Sequence, residues 1–425
     1  MTSRRTVLSS LGTIGVITLA GCSALPIGGN DGSEDVSLPG DAVESVPWPD
    51  SPFPVTVPTG LAETHRERSR ELLAEVPSDL SVPNSGITEE LRTNRKQAAD
   101  MIDDGTDDPW PIERLSRWRS RRSSAASVRG AYRAATGEDD AATVDERRQT
   151  VHEDLGSYVA AHEYRVATLT EAVLVYAPIE DLIADCRRHV RPEPAYPADP
   201  VADPFQAGDA VGTVERARST LADARGLREA YLTERSDVSS QWAALIAASD
   251  RLRFAVGSTR SSVEDFLDVD ESPFDADLQG TAGEWLFRQA SRRVTSTADE
   301  HRRSRADGNY ATAVIEAGQA LAAIEALRTT IEGINDGAYQ DAVSAESVSQ
   351  AAARAQDAIS AFGENEDQRL TTLIGRPALE TVDYLSRDIE QGRGSAARIQ
   401  GDLIWAELYA RAVPAATAFV IDRLG

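Results

Sequence analysis

Val151, Leu155, Tyr158, His162, Val166, Leu169, Val173 and Tyr176 recur at steps of three and four, the spacing that lines side chains along one face of an α-helix. The stripe predicts a helix of about seven turns. A seam this long and narrow suits an elongated bundle or coiled-coil-like packing better than a compact globule. Pro178 is expected to kink or restart the helix, because proline removes a donor and clashes with the preceding turn. The same periodicity returns at Val211, Val214, Leu221 and Leu227, and at Trp242, Leu245, Leu252 and Val256. Leu379, Val382, Leu385 and Ile389 form one more face. After Gly392 and Gly394 a last helix carries Ile399, Leu403, Leu408 and Phe419, with Pro414 as a kink. No segment sustains period-two alternation between turn signals. The expected fold is therefore all-α: an elongated multi-helix bundle with long helices and essentially no sheet.

Proline places the breaks. Residues 22–59 hold Pro26, Pro39, Pro47, Pro49, Pro52, Pro54 and Pro58 and read as an extended tether. Trp48 and Phe53 within it are residues able to dock on a folded part. Residues 60–191 read as an N-terminal helical part and 206–425 as a C-terminal one. Between them, 192–205 (Pro192, Pro194, Pro197, Pro200 and Pro204) is a stretch that no regular helix crosses. Whether the two parts form one continuous bundle or two domains is open at this level.

The first twenty-two residues carry an address. Arg4 and Arg5 precede an uncharged run that ends at Leu19-Ala20-Gly21-Cys22. This is the layout of an export signal over residues 1–21, and the paired arginines mark the route that exports folded proteins. Ser9, Ser10, Gly12, Thr13, Gly15, Thr18 and Gly21 make the run too polar for a confident membrane span. Leu19 to Cys22 resembles a lipobox, which implies that Cys22 bears lipid and anchors the chain to the outer face of the cytoplasmic membrane.

Acidic residues number 69 against 44 basic ones, for a net charge of −25, and Lys96 is the sole lysine. Carboxylates hold water and cations in concentrated salt, while arginine is more weakly hydrated than lysine and pairs bidentately. With the signal, this composition resembles secreted haloarchaeal lipoproteins with a twin-arginine signal. The resemblance rests on residues 1–22 and on composition, and implies habitat and sorting but no activity. So acidic a chain makes nucleic acid an unsuitable partner. Screening within about 3 Å at 1 M salt leaves recognition to direct contact.

With Cys22 lipidated, Cys186 is the remaining thiol and no intramolecular disulfide forms. At helical spacing it shares a face with Leu182, Ile183 and Val190, so a buried structural thiol is expected. None of His65, His152, His162, His189 and His301 has glutamate three residues before it, which excludes the di-iron bundle pattern. His162, inside the apolar stripe, reads as a hydrogen-bonded core histidine rather than a ligand.

The acidic run from Asp265 to Asp277 lacks the calcium-loop spacing. Counted from Asp268, the sixth position is Pro273 and the twelfth Gln279, where glycine and glutamate are required. It reads as a hydrated loop, and neither a metal nor another cofactor is expected. Arg114, Arg117, Trp118 and Arg121 form a candidate anion contact, since guanidinium beside an aromatic holds carboxylate or phosphate. Ion pairing with the abundant acids is the plainer use of the same arginines, and of Arg292, Arg293, Arg302, Arg303 and Arg305.

No Gly-x-Ser-x-Gly or comparable catalytic motif occurs. The expected role is a membrane-tethered, non-enzymatic scaffold or protein-interaction module. The alternative is a lipoprotein that binds a small anionic solute, and a bundle pocket lined by arginine and tryptophan is the feature that separates the two.

Overall fold

The computed structural model describes residues 38–39, 42–43, 46–106, 108–267, 273–364 and 367–425. Arg4, Arg5 and Cys22 lie outside them, as do Asp268, Asp270 and Glu271 of the acidic run. Among the described residues there are twelve α-helices and one two-stranded pair, so the chain is all-α.

The helices are α1 (Thr59–Ala74), α2 (Ser85–Asp103), α3 (Pro111–Ala135), α4 (Ala141–Ala160), α5 (Leu169–His189) and α6 (Pro204–Glu234). They are followed by α7 (Trp242–Ser261), α8 (Ala282–Ala306), α9 (Tyr310–Asn335), α10 (Ala345–Ser360), α11 (Gln368–Glu390) and α12 (Ala396–Leu424). Local chemistry sets many of their ends. The Asn84 side chain accepts from the backbone N–H of Gly86 and Ile87 at the start of α2, and Ser344 and Ser347 form a reciprocal capping box on α10. Pro111 and Pro204 stand in the first turns of α3 and α6, where a missing N–H costs nothing. Gly392 and Gly394 adopt φ of 64° and 91° between α11 and α12, a conformation that a side chain disfavours.

The longest predicted helix is in fact two. The stripe from Val151 to Tyr176 stops at Ala160, and Arg165–Val166 (β1) then pairs antiparallel with Ser239–Ser240 (β2). The chain resumes helix at Leu169, where Thr168 caps it by accepting from Glu171 N. Tertiary bonds decide this against the local period. Tyr176 Oη accepts from Arg165 N at 3.0 Å, and Gln241 N donates to Tyr164 O at 2.9 Å. The apolar residues on both sides of the break are still buried, which is why the period ran on. Pro178 and Pro414, expected to kink or restart their helices, lie within α5 and α12, which run on past them. Burial of α5 from Ala172 to Ala177 and at Ile179, Leu182 and Ile183 offsets the lost hydrogen bond.

Two cores organise the bundle. One gathers α1, α2, α3 and α6 around Leu72, Leu91, Ile102, Trp118 and Val211. The other runs through α5 to α12 and reaches back to Phe53, Val55 and Val57. Helix α6 contributes to both. Its contact with α3 depends on glycine: a Cβ on Gly208 would sit 2.4 Å from the Ser127 carbonyl oxygen, and one on Gly212 2.0 Å from Ser127 Oγ. The proline-rich stretch 190–203 joins two packed helices, since Cys186 Sγ donates to Ala217 O at 3.4 Å and Arg216 pairs with Asp185 at 3.4 Å. Helix α12 has the length and apolar character of a membrane span; in the bundle it buries Ile404, Trp405, Tyr409 and Val413.

Candidate functional site

Residues 51–58 form a non-helical segment that bends at 53–55 and leads into α1, with Pro52, Pro54 and Pro58 lacking an N–H and fixing φ. Phe53, Val55 and Val57 are all buried. The segment is fastened upstream, where Trp110 Nε1 donates to Pro49 O at 2.9 Å and Trp48 meets Trp110 edge to face at 5.0 Å. The end of the predicted tether is thus part of the folded body.

Between this segment and the helices lies an open cleft of about 680 Å³. Helix α1 lines it with Thr59, Ala62, Glu63 and Arg66, and α3 with Pro111, Arg114, Leu115 and Trp118. Each set follows the i, i+3, i+4, i+7 rule, so a single face of each helix is presented. Arg369, in the first turn of α11, completes the lining. Three arginines and one glutamate therefore converge on an apolar surface in a strongly acidic chain.

The three arginines are unequally engaged. Arg114 Nε donates to the Asp108 carbonyl at 2.8 Å. Arg66 has Glu63 no nearer than 4.0 Å, and its Nε is buried without an acceptor among the described residues. Its guanidinium also sits 6.0 Å from the centre of the Trp118 ring. Arg369 is exposed and has no hydrogen-bond or ion-pair partner among the described residues.

Behind the cleft a buried ionic network ties α1, α3 and α6. His65 Nε2 lies 2.9 Å from Asp223 Oδ1, and Arg119 Nη1 donates to Asp223 Oδ2 at 2.5 Å. Arg122 pairs with Glu215 at 2.6 Å and reaches His65 Nδ1 at 3.3 Å. Burial acts to raise the Glu215 carboxyl, but Arg122 and Arg218 outweigh it and hold the group below the usual range. Both nitrogens of His65 are engaged and the side chain is buried, so the His–Asp pair faces no nucleophile. Its role is positional: His65 and Arg119 are direct neighbours in sequence of the cleft residues Arg66 and Trp118.

The candidate anion contact read from sequence divides. Arg114 and Trp118 line the cleft. Arg117 pairs with Asp108 at 2.9 Å, and Arg121 donates to the Gly105 carbonyl while lying 4.8 Å from the Trp118 ring. Arg66 and Arg369 were missed. Arg66 sits in a short run with Arg68 and Arg70 but with no aromatic beside it, Arg369 stands apart from other arginines, and no signal along the chain links positions so distant. Of the later arginines, Arg302 pairs with Asp299 at 2.6 Å and Arg305 pairs with Asp250, the plainer use, while Arg293 lies 4.9 Å from the Trp405 ring.

Cys186 is fully buried, and desolvation pushes its thiol up to about 12, as an inert structural thiol requires. His162 departs from expectation. It is packed among Tyr158, Tyr164 and Tyr176, and neither ring nitrogen has a hydrogen-bond partner among the described residues. Burial, aided by Arg228 and Arg187, lowers it to about 4, so it is a neutral aromatic filler. A separate acidic group bridges α5 and α9. Glu180 accepts from the N–H of Ala311 at 3.0 Å and of Thr312 at 2.7 Å, and from the Tyr164 hydroxyl. Desolvation raises Glu180 to about 7, Asp181 to about 6 and Glu316 to about 8. Among the described residues no three His, Cys, Asp or Glu side chains gather as a metal site.

Comparison with known proteins places this geometry in two adjoining segments. Residues 61–237 match a family model described as Domain of unknown function (DUF8262), and residues 242–422 match a second, Domain of unknown function (DUF8264). The joint between them falls at β2, while the Pro192–Pro204 stretch lies inside the first. Nothing among curated proteins or solved structures matches the chain. The cleft draws on both matched segments and on the residues before them: Arg66 and Arg114 belong to the first, Arg369 to the second, and Phe53 to Val57 precede both.

Proposed function

We propose that this chain is an exported helical binding protein, tethered to the membrane through Cys22, that holds a small anionic solute in the cleft formed by residues 51–59, α1, α3 and α11. The observation that carries the reading is the convergence of Arg66, Arg114 and Arg369 on one open cavity, with a buried Arg66 donor left without an acceptor. Buried donors are rarely left unpaired in native proteins, and guanidinium is suited to carboxylate and phosphate. The twin-arginine and lipobox pattern at residues 1–22 and the proline-rich run after it support the tethered placement.

Titration of the Cys22→Ser protein with small carboxylates and inorganic phosphate at fixed molar salt, followed by tryptophan fluorescence, tests the reading. Saturable binding that falls about tenfold in Arg369→Gln, or about 1.4 kcal/mol, is expected. Absence of saturable binding to every anion at millimolar concentration overturns it and returns the scaffold role to first place. Membrane partition of wild type against Cys22→Ser tests the anchor separately.

A further inference from the structure

The same cleft specifies more than charge. Resting on the anion-binding reading, we infer that its ligand is an amphipathic organic anion: one carboxylate or similar headgroup at Arg66, Arg114 and Arg369, joined to a short apolar body. Three features point there. First, the part-exposed apolar residues Pro54, Pro58, Ala62 and Pro111 line the cavity alongside the arginines, with the buried Phe53, Val55, Val57 and Leu115 also in its wall, so cationic and apolar surfaces face one space. Second, about 680 Å³ falls in the range of sites that enclose an organic ligand. A lone inorganic ion would leave the apolar lining in contact with water, forgoing the burial that makes such a surface useful. Third, the chain carries a net charge of −25, whereas the lining residues sum to net positive. At molar salt this local complementarity acts only at contact range, so the apolar part must supply much of the affinity. The Trp118 ring lies within reach of both the Arg66 and Arg121 guanidinium groups, which sets a flat apolar surface beside the headgroup position.

The test is a series of straight-chain carboxylates, acetate, butanoate, hexanoate and octanoate, titrated into the Cys22→Ser protein at fixed salt, with 1-hexanol as the uncharged control. Affinity is expected to rise about fourfold per methylene until the cavity fills, and hexanol is expected to bind at least tenfold more weakly than hexanoate. Val57→Ser should lower the gain per methylene, and Arg369→Gln should weaken every acid by a common factor. Far-ultraviolet circular dichroism checks that both variants fold, and Val55→Thr replaces Val57→Ser if the latter does not. Carboxylates that bind with no dependence on chain length overturn this inference and leave the anion-binding reading standing. Hexanol binding as tightly as hexanoate overturns both; no binding by any member overturns this inference, and the anion-binding reading falls with it when inorganic phosphate also fails to bind. Preference of the protein for vesicles of anionic phospholipid over the free acids overturns the assignment to a soluble ligand.

Discussion

Trp110 Nε1 donates to the carbonyl oxygen of Pro49 at 2.9 Å, which fixes a proline-rich segment to the start of α3 across 61 positions of sequence. That bond and the edge-to-face contact with Trp48 hold residues 51–59 where they form one side of the cleft. Trp110→Phe keeps much of the apolar contact and removes the donor, at a cost of about 1 kcal/mol. The expected outcome is faster proteolysis between residues 46 and 58, together with weaker binding of anions in the cleft. Unchanged cleavage and affinity would show that the fastening lies elsewhere.

Asp223 accepts from Arg119 and pairs with His65 in a buried setting. Asp223→Ala leaves the Arg119 charge buried and uncompensated, and a loss of about 3–5 kcal/mol is expected from breaking such a pair on one side. Chemical denaturation of the two proteins at the same salt measures it. A loss below about 1 kcal/mol would mean that water reaches Arg119.

The crossing of α3 and α6 leaves no room for a side chain at Gly208 or Gly212. Gly208→Ala places a methyl group against the backbone oxygen of Ser127, which cannot swing aside as a flexible side chain would. Overpacking of this kind costs about 1–3 kcal/mol, and exceeds the modest gain that alanine brings to a helix. Gly257→Ala in α7, where nothing lies within 4 Å of the added atom, is the matched control. It should be neutral or slightly stabilising in thermal melts, and a similar loss in both variants would sink the argument from close approach.

Stability should fall as pH rises from 6.5 to 8.5. Burial raises Glu180 to about 7 and Glu316 to about 8, so the folded chain holds protons that the unfolded chain has already released near pH 4. A raised carboxyl contributes its full stability below the unfolded value and loses it as pH climbs through the folded one. His162 and His301 are lowered by burial; their contribution is lost on the acid side, below about pH 6.5, and leaves this window to the carboxyls. Thermal melts at constant salt check the sign, and Glu316→Gln should flatten the slope. A melting temperature that rises toward pH 8.5 contradicts the assignment.

The acid excess predicts a salt requirement. Dilution from 2 M to 0.1 M salt lengthens screening from about 2 Å to about 10 Å, and repulsion within a chain of net charge −25 grows accordingly. Loss of helicity or a lower melting temperature in dilute buffer is expected. A melt that ignores salt would leave the arginine-for-lysine composition without this explanation.

Helix was legible because its signal is local. The apolar faces of α6, α11 and α12 follow from 3.6-residue geometry, and the burial of Val211, Leu221, Leu385 and Leu403 agrees with the spacing that marked them. Proline and glycine likewise announced the stops between α5 and α6, expected at 192–205 and found at 190–203, and at Gly392 and Gly394, since each acts through its own φ and its own N–H. The break between α4 and α5 was not legible. There the period continues through residues that are buried for a different reason, and hydrogen bonds from Tyr176 and Gln241, distant or outside the local window, set the turn.

The site divides along the same line. Arg114 and Trp118 stood out by sequence because arginines cluster beside tryptophan within one short stretch of an acidic chain. Arg66 and Arg369 did not, because 303 positions separate them and only the packing of α1, α3 and α11 brings them to one cavity. Sequence by itself determined the helical class, its periodic faces and most of its stops, all of which depend on neighbours within a few residues. Only the tertiary structure decided which arginines spend their charge on nearby acids and which are left to face an open cleft, because that outcome rests on contacts between distant segments that no local spacing encodes.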